Sequence, residues 1–180
     1  MRIIGGKFKG APLKAFRNIK PASFRVRKGI FDIIREIIKN SVVLDLFGGS
    51  GALGIEAFSW GAKFVVFVDI HRGCTKIIKD NVSRLKLSSS SKIILKDSFK
   101  AIKDFSSKNL LFDIIFVDPP YYKGLAKKAL QTLDEYDILA PSGYIIVLCY
   151  REDAPGDCYQ SFKVVTVRNY GQSRLFVYRK

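Results

Sequence analysis

From Val42 onward, short apolar runs alternate with amphipathic stretches. Val42–Phe47, Phe64–Val68, Ile93–Leu95, Phe112–Val117 and Tyr144–Leu148 are rich in β-branched and aromatic residues and almost uninterrupted, the pattern of strands buried on both faces. Between them, Gly51–Ser59, Cys74–Leu85, Ser98–Phe105 and Leu125–Tyr136 have the length and spacing of helices. Alternation of this kind predicts an α/β fold of three layers, a parallel sheet with helices on both faces. Such a sheet binds its ligand beyond the carboxyl ends of its strands.

The pattern changes at both ends of the chain. Phe162–Val167 and Leu175–Tyr178 predict two strands joined by the turn-forming Asn169-Tyr170-Gly171-Gln172, an antiparallel pair at one edge of the sheet. Arg151–Tyr159, with Pro155 and Gly156, reads as the loop before them, and Ser88–Ser91 as a polar linker without structure of its own. Upstream, the basic and glycine-punctuated Met1–Phe16 predicts a small hairpin or an extended arm. Ser23 is placed to N-cap a helix over Phe24–Lys39, with Val26, Ile30, Ile33, Ile34, Ile37 and Ile38 on one face. The chain thus divides into a basic hairpin and helix, residues 1–41, and a sheet domain, residues 42–180.

Charge adds a partner to this picture. The chain carries 31 Lys and Arg against 16 Asp and Glu, a net charge of +15, which implies an anionic partner such as nucleic acid. Arg25 and Arg27 fall in a first helical turn, where the dipole disfavours cations. They are therefore expected to face an anion, either phosphate or a cofactor carboxylate. No apolar stretch approaches the roughly 18 residues of a membrane span, and the amino terminus lacks the apolar core of a signal peptide, so a cytoplasmic protein is expected. Cys74, Cys149 and Cys158 show no C-x-x-C spacing and His71 is the only histidine, leaving no zinc cluster and no disulfide framework. Cys74 and His71 read as ordinary residues rather than a nucleophile pair.

Two motifs carry chemistry. Asp118-Pro119-Pro120-Tyr121 follows the fourth apolar run directly. The lone pair of an aromatic exocyclic amine is delocalised into its ring, so the nitrogen is a poor nucleophile until acceptors hold it. Asp118 supplies one acceptor. Pro119 and Pro120 supply carbonyls on a backbone of fixed φ with no competing N–H. Tyr121 offers a flat face on which a base can stack. The second motif, Asp45 to Gly54, turns the first strand into the first helix. Phe47, Gly48, Gly49 and Gly51 form its cofactor-facing backbone, and Asp69 ends the next strand. Gly49, Gly51 and Gly54 also satisfy the G-x-G-x-x-G pattern of dinucleotide enzymes, which makes a nicotinamide-dependent oxidoreductase a competing reading. Against it, Asp45 would repel a pyrophosphate but attract the ammonium of S-adenosylmethionine. Asp69 suits the ribose hydroxyls of either cofactor, and Asp97, with Ser98 beside it, suits an adenine amino group.

These residues resemble the seven-strand S-adenosylmethionine-dependent methyltransferases, and among them the RsmD-type enzymes that methylate the N2 amine of a guanine in 16S ribosomal RNA. The resemblance runs through Met1 to Gly10, Pro21 to Phe31 with Arg25-Val26-Arg27, Asp45 to Gly54, Asp118 to Tyr121 and Tyr170 to Leu175. It implies a Rossmann-like class I sheet of order 3-2-1-4-5-7-6 with an antiparallel last strand, S-adenosylmethionine as cofactor, and 16S rRNA within the small subunit or its assembly intermediate as partner. A monomer without metal is expected. Lys7, Lys9, Arg25 and Arg27 are the candidate phosphate contacts. The family has Arg-Pro-Thr-Ser-Asp where this chain has Lys20-Pro21-Ala22-Ser23-Phe24, and alanine is common at Gly49. Within the same chemistry a DNA adenine-N6 or protein glutamine-N5 methyltransferase stays open, as does a non-enzymatic RNA-binding assembly factor.

Overall fold

A computed structural model describes residues 1–16 and 22–180; Lys20 and Pro21, part of the segment that departs from the family pattern, lie outside them. Its seven strands are β1 (Val42–Asp45), β2 (Phe64–Asp69), β3 (Ser91–Leu95), β4 (Phe112–Val117), β5 (Leu139–Tyr150), β6 (Lys163–Tyr170) and β7 (Ser173–Arg179). They form one sheet of order β3-β2-β1-β4-β5-β7-β6. The first five strands run parallel, and β7 pairs antiparallel with both β5 and β6. Strand order reverses at β1, whose neighbours are β2 and β4, which puts the switch point, where such sheets bind their ligands, beyond the carboxyl ends of β1 and β4.

Successive residues of each strand point to opposite faces, which divides the core in two. Val43, Val65, Phe67, Ile114, Phe116, Ile146 and Val177 join one apolar cluster, whereas Leu44, Val66, Val68, Ile115, Val117, Ile145 and Tyr178 join the other. The first cluster is completed by α1 (Phe24–Ile34), α2 (Ala52–Ser59) and α3 (Arg72–Arg84), the second by α4 (Ser98–Ser107) and α5 (Leu125–Tyr136). Ile3 and Leu13 of the N-terminal arm also enter the first cluster. That arm is a hairpin: Ile3 donates to Ala11 O at 3.0 Å and Leu13 to Met1 O at 2.8 Å.

Five expectations are corrected. The first helix stops at Ile34 rather than Lys39, because the Ile37 and Ile38 amides both turn back onto Ile34 O. Asn40 then takes a left-handed φ of 62° to aim the chain into β1, a conformation asparagine tolerates better than most residues. Ser88–Ser90 is not a bare linker but one 3₁₀ turn, and Ser91 already pairs in β3. Within Arg151–Tyr159, Arg151–Asp153 is likewise a 3₁₀ turn. β5 begins at Leu139, five residues before the apolar run, since the Pro141-Ser142-Gly143 segment is absorbed as a register shift against β4.

Arg27 is the fifth. Its guanidinium is buried, not turned outward to a phosphate, and donates to Glu56 Oε1 at 2.6 Å, Arg2 O at 3.1 Å and Ala22 O at 3.2 Å. The anion anticipated beside it is thus a side chain of α2. The same Glu56 oxygen accepts from the Ile4 amide at 2.8 Å, so hairpin, α1 and α2 meet on one carboxylate. Burial raises the Glu56 pKa and lowers that of Arg27, each partly offset by the other's charge. Removing one partner leaves the other charge buried and uncompensated, so Glu56→Ala is expected to cost about 3–5 kcal/mol in urea unfolding. A loss within the range of an exposed pair, under about 1 kcal/mol, would show that the tie contributes little.

Candidate active site

Three carboxylates converge where the strands end. Asp45 closes β1, Asp69 closes β2 and Asp118 follows β4 directly, and the parallel register sets Asp45 opposite Phe67 on one side and Phe116 on the other. Asp45 is buried, with Oδ2 accepting from the Gly54 amide at 3.0 Å. Burial pushes its carboxyl up to about 8 against that hydrogen bond, and the charges of Asp118 and Asp69 push the same way. Asp118 is raised to about 7 by burial. A pocket that makes two carboxyls reluctant to ionise is built for a cationic occupant. An ammonium and a sulfonium supply that charge, so the donor set fits S-adenosylmethionine.

The glycine loop is shaped by these acids. The Gly49 amide, at φ 55°, donates to Asp69 Oδ2 at 2.8 Å, while Asp69 Oδ1 accepts from the His71 amide at 2.8 Å. Gly54 lies so close to β2 that a side chain there would run into the Phe67 ring. The amides of Gly48, Gly49, Gly51 and Gly54 are all committed, to Val68 O, Asp69, Gly48 O and Asp45 respectively. With four of its amides committed to its own carboxylates and carbonyls, the loop leaves a pyrophosphate fewer donors, which counts against the oxidoreductase reading.

On the far wall, Phe47 stands edge-on to Phe99, with ring centroids 6.4 Å apart. Asp97 N-caps α4, its Oδ1 accepting from the Lys100 amide at 3.0 Å. The buried Ser98 hydroxyl is already used: it donates to Leu46 O at 2.7 Å and ties α4 to the end of β1. Tyr121 is held by a hydroxyl–hydroxyl bond of 2.8 Å to Ser173 at the start of β7, and burial raises its phenol. Pro119 is buried and Pro120 exposed. Lys7, Lys9 and Arg25 are exposed.

Asn81 was not singled out in the sequence. Fully buried in α3, its amide nitrogen donates to Ser50 O at 3.1 Å and Lys14 O at 3.0 Å, and its carbonyl accepts from the Lys14 amide at 2.9 Å. It braces the glycine loop against the arm. Its one signal was an amide inside a helix, where asparagine is a weak former. Cys74 is buried with its thiol pushed up to about 11, chiefly by burial and also by Asp69, so it stays protonated and inert. Among the described residues no group of three or more His, Cys, Asp or Glu is placed to hold a metal ion, and no helix is long and apolar enough to cross a membrane.

Known proteins share this arrangement. A family model described as "Conserved hypothetical protein 95" matches residues 1–179. Ribosomal RNA small subunit methyltransferase D of Buchnera aphidicola subsp. Acyrthosiphon pisum is 34% identical over 147 residues, 81% of this chain and 75% of that protein. The solved structure of yhhF from Escherichia coli superposes with a TM-score of 0.89 at 27% identity, covering 100% of this chain and 97% of the other. The fold recurs, at 14% identity and a TM-score of 0.68, in an RNA methyltransferase from Salinibacter ruber in complex with S-adenosyl-L-homocysteine, covering 89% of this chain and 93% of that one.

The two raised carboxyls give the unliganded protein a defined pH response. Each binds its proton more tightly folded than unfolded, so its contribution is fully present below the ordinary carboxylate value of 3.8 and is lost as pH rises through 7 to 8. Unfolding free energy measured by urea should therefore fall from pH 5 to pH 8, and Asp45→Asn should flatten that fall. An equally steep fall in the variant would remove Asp45 as its source.

Proposed function

The chain belongs to the family of ribosomal RNA small subunit methyltransferase D, and on that premise we propose that it methylates the exocyclic N2 amine of a guanine in 16S rRNA, within the small subunit or its assembly intermediate. It acts in the cytoplasm as a monomer. The observation that carries the reading is the meeting of Asp45, Asp69 and Asp118 at the strand ends, followed by Pro119-Pro120-Tyr121.

When bound, S-adenosylmethionine supplies a methyl carbon activated by its sulfonium. Asp45 faces the ammonium of its amino-acid end, and Asp69 accepts from the ribose hydroxyls with the lone pairs left by Gly49 and His71. Asp97 takes the adenine amino group on the oxygen not used for capping. Ser98 acts through its backbone and by holding the end of β1, its hydroxyl proton being committed to Leu46 O. Phe47 walls the pocket beside Phe99.

The target guanine is flipped from its surroundings, at a cost of a few kcal/mol, and rests on Tyr121. Asp118 and the Pro119 carbonyl accept from its N2 amine, drawing the nitrogen toward tetrahedral geometry and stabilising the positive charge that develops there. A carboxylate whose proton affinity lies near neutrality is a stronger acceptor for that charge than an ordinary one. Much of the remaining acceleration is positioning. Lys7, Lys9 and Arg25 contact phosphates around the site, which makes binding weaken steeply with salt.

The test is to incubate the protein with labelled S-adenosylmethionine and small subunits lacking the modification, then locate the mark by mass spectrometry. Label on guanine N2 is expected; label on another base, or none, overturns the assignment. Asp118→Ala should keep cofactor affinity but lose about 100-fold or more in transfer rate, equivalent to roughly 2.7 kcal/mol. Asp69→Ala should instead raise the cofactor Kd, and an unchanged Kd would sink the ribose assignment.

A further inference from the structure

Beside the target-base residues lies an aromatic corner that the reaction does not use. Tyr122 is 68% exposed, an unusual position for a tyrosine next to a buried strand. Its ring packs on that of Tyr150, at the end of β5, with centroids 4.3 Å apart, and Tyr121 approaches the same Tyr150 ring at 6.1 Å. Tyr121 and Tyr122 stand nearly perpendicular, at 80°. The backbone of Tyr122 is left-handed, φ 62°, which is uncommon for a bulky side chain. It is fixed there by Asp153, whose Oδ2 accepts the Tyr122 amide at 2.6 Å from 31 residues away. A strained backbone held by a distant carboxylate, presenting an aromatic ring to solvent rather than to the core, is a surface kept open for a flat ligand.

We propose that Tyr122 and Tyr150 form a second stacking platform, taking an unpaired nucleobase adjacent to the target guanine. This rests on the RNA-methylating reading and adds a substrate-positioning element to it. Three features select a base over an apolar protein side chain. The platform continues directly from Tyr121, so a strand that delivers one base to Asp118 passes over it. The perpendicular Tyr121 and Tyr122 rings give two separate faces, one for each of two splayed bases. Lys123 and Arg151, each directly following one of the two rings and both exposed, offer cations to the intervening phosphate beside the single exposed carboxylate of Glu152. Base–aromatic stacking tolerates any base, so the platform holds the neighbouring nucleotide without reading its identity. Asp153 is the positioning residue.

Methyl transfer to unmodified small subunits separates the possibilities. Tyr122→Ala and Tyr150→Ala should each raise KM for the particle about tenfold or more, with a smaller change in kcat and an unchanged Kd for S-adenosylmethionine. Tyr122→Phe and Tyr150→Phe, which keep the ring, should stay within about twofold of wild type. Wild-type KM in both alanine variants, or equal losses in the phenylalanine ones, would overturn the platform. Absence of transfer by the wild-type protein would instead refute the methylation reading. A second readout needs no turnover: the indole of Tyr122→Trp should be quenched by single-stranded RNA and not by inorganic polyphosphate, and equal response to both would also overturn it.

Discussion

Three carboxylates at adjoining strand ends would repel one another into solvent if the fold allowed it. The parallel sheet does not: β1, β2 and β4 are neighbours in register, so their termini bring Asp45, Asp69 and Asp118 to one crevice. Desolvation then makes ionisation of Asp45 and Asp118 costly, the neighbouring acids adding to the cost at Asp45, and a cationic ligand relieves it. The conformation of the glycine loop follows from the same constraint, because Asp45 and Asp69 accept from its Gly54 and Gly49 amides.

The strands were legible because strands buried on both faces show unbroken apolar runs, and their ends could be read from where those runs meet an acid or a glycine. Strand order was not in the runs; it came from resemblance. The shortfalls have physical causes. β5 was read five residues short because Pro141, Ser142 and Gly143 look like a turn, yet β4 accommodates them by shifting register. Arg27 announced an anion through its place in a first helical turn. No local pattern could say that the anion was Glu56, in the next helix but 29 residues on. Asn81 and Ser173 act through contacts with chain distant in sequence, Ser50 and Lys14 for one and Tyr121 for the other, so spacing gave them no signature.

The N-terminal arm is bound to the sheet by polar contacts more specific than its apolar ones. Glu56 collects Ile4 and Arg27, Ser59 donates to Gly5 O and accepts from the Phe8 amide, and Asn81 grips Lys14. Each of these partners lies on α2 or α3, the helices that flank the glycine loop. The arm that carries Lys7 and Lys9 is therefore registered to the pocket itself. Under the proposed function, a phosphate held by those lysines would stand at a defined offset from Asp118, as selecting one base among many requires.

A strongly basic exterior and an acidic interior do not cancel in this arrangement. At physiological ionic strength, exposed charges are screened over about 8 Å, whereas buried ones interact through a poorly screened medium. The surface lysines and arginines are thus free to meet an anionic partner from outside without neutralising Asp45 and Asp118, whose raised proton affinities persist despite a net charge of +15. An anionic partner and a cationic cofactor make opposite electrostatic demands. The fold separates the two by keeping the carboxyls at the strand ends and leaving Lys7, Lys9 and Arg25, among other basic side chains, exposed.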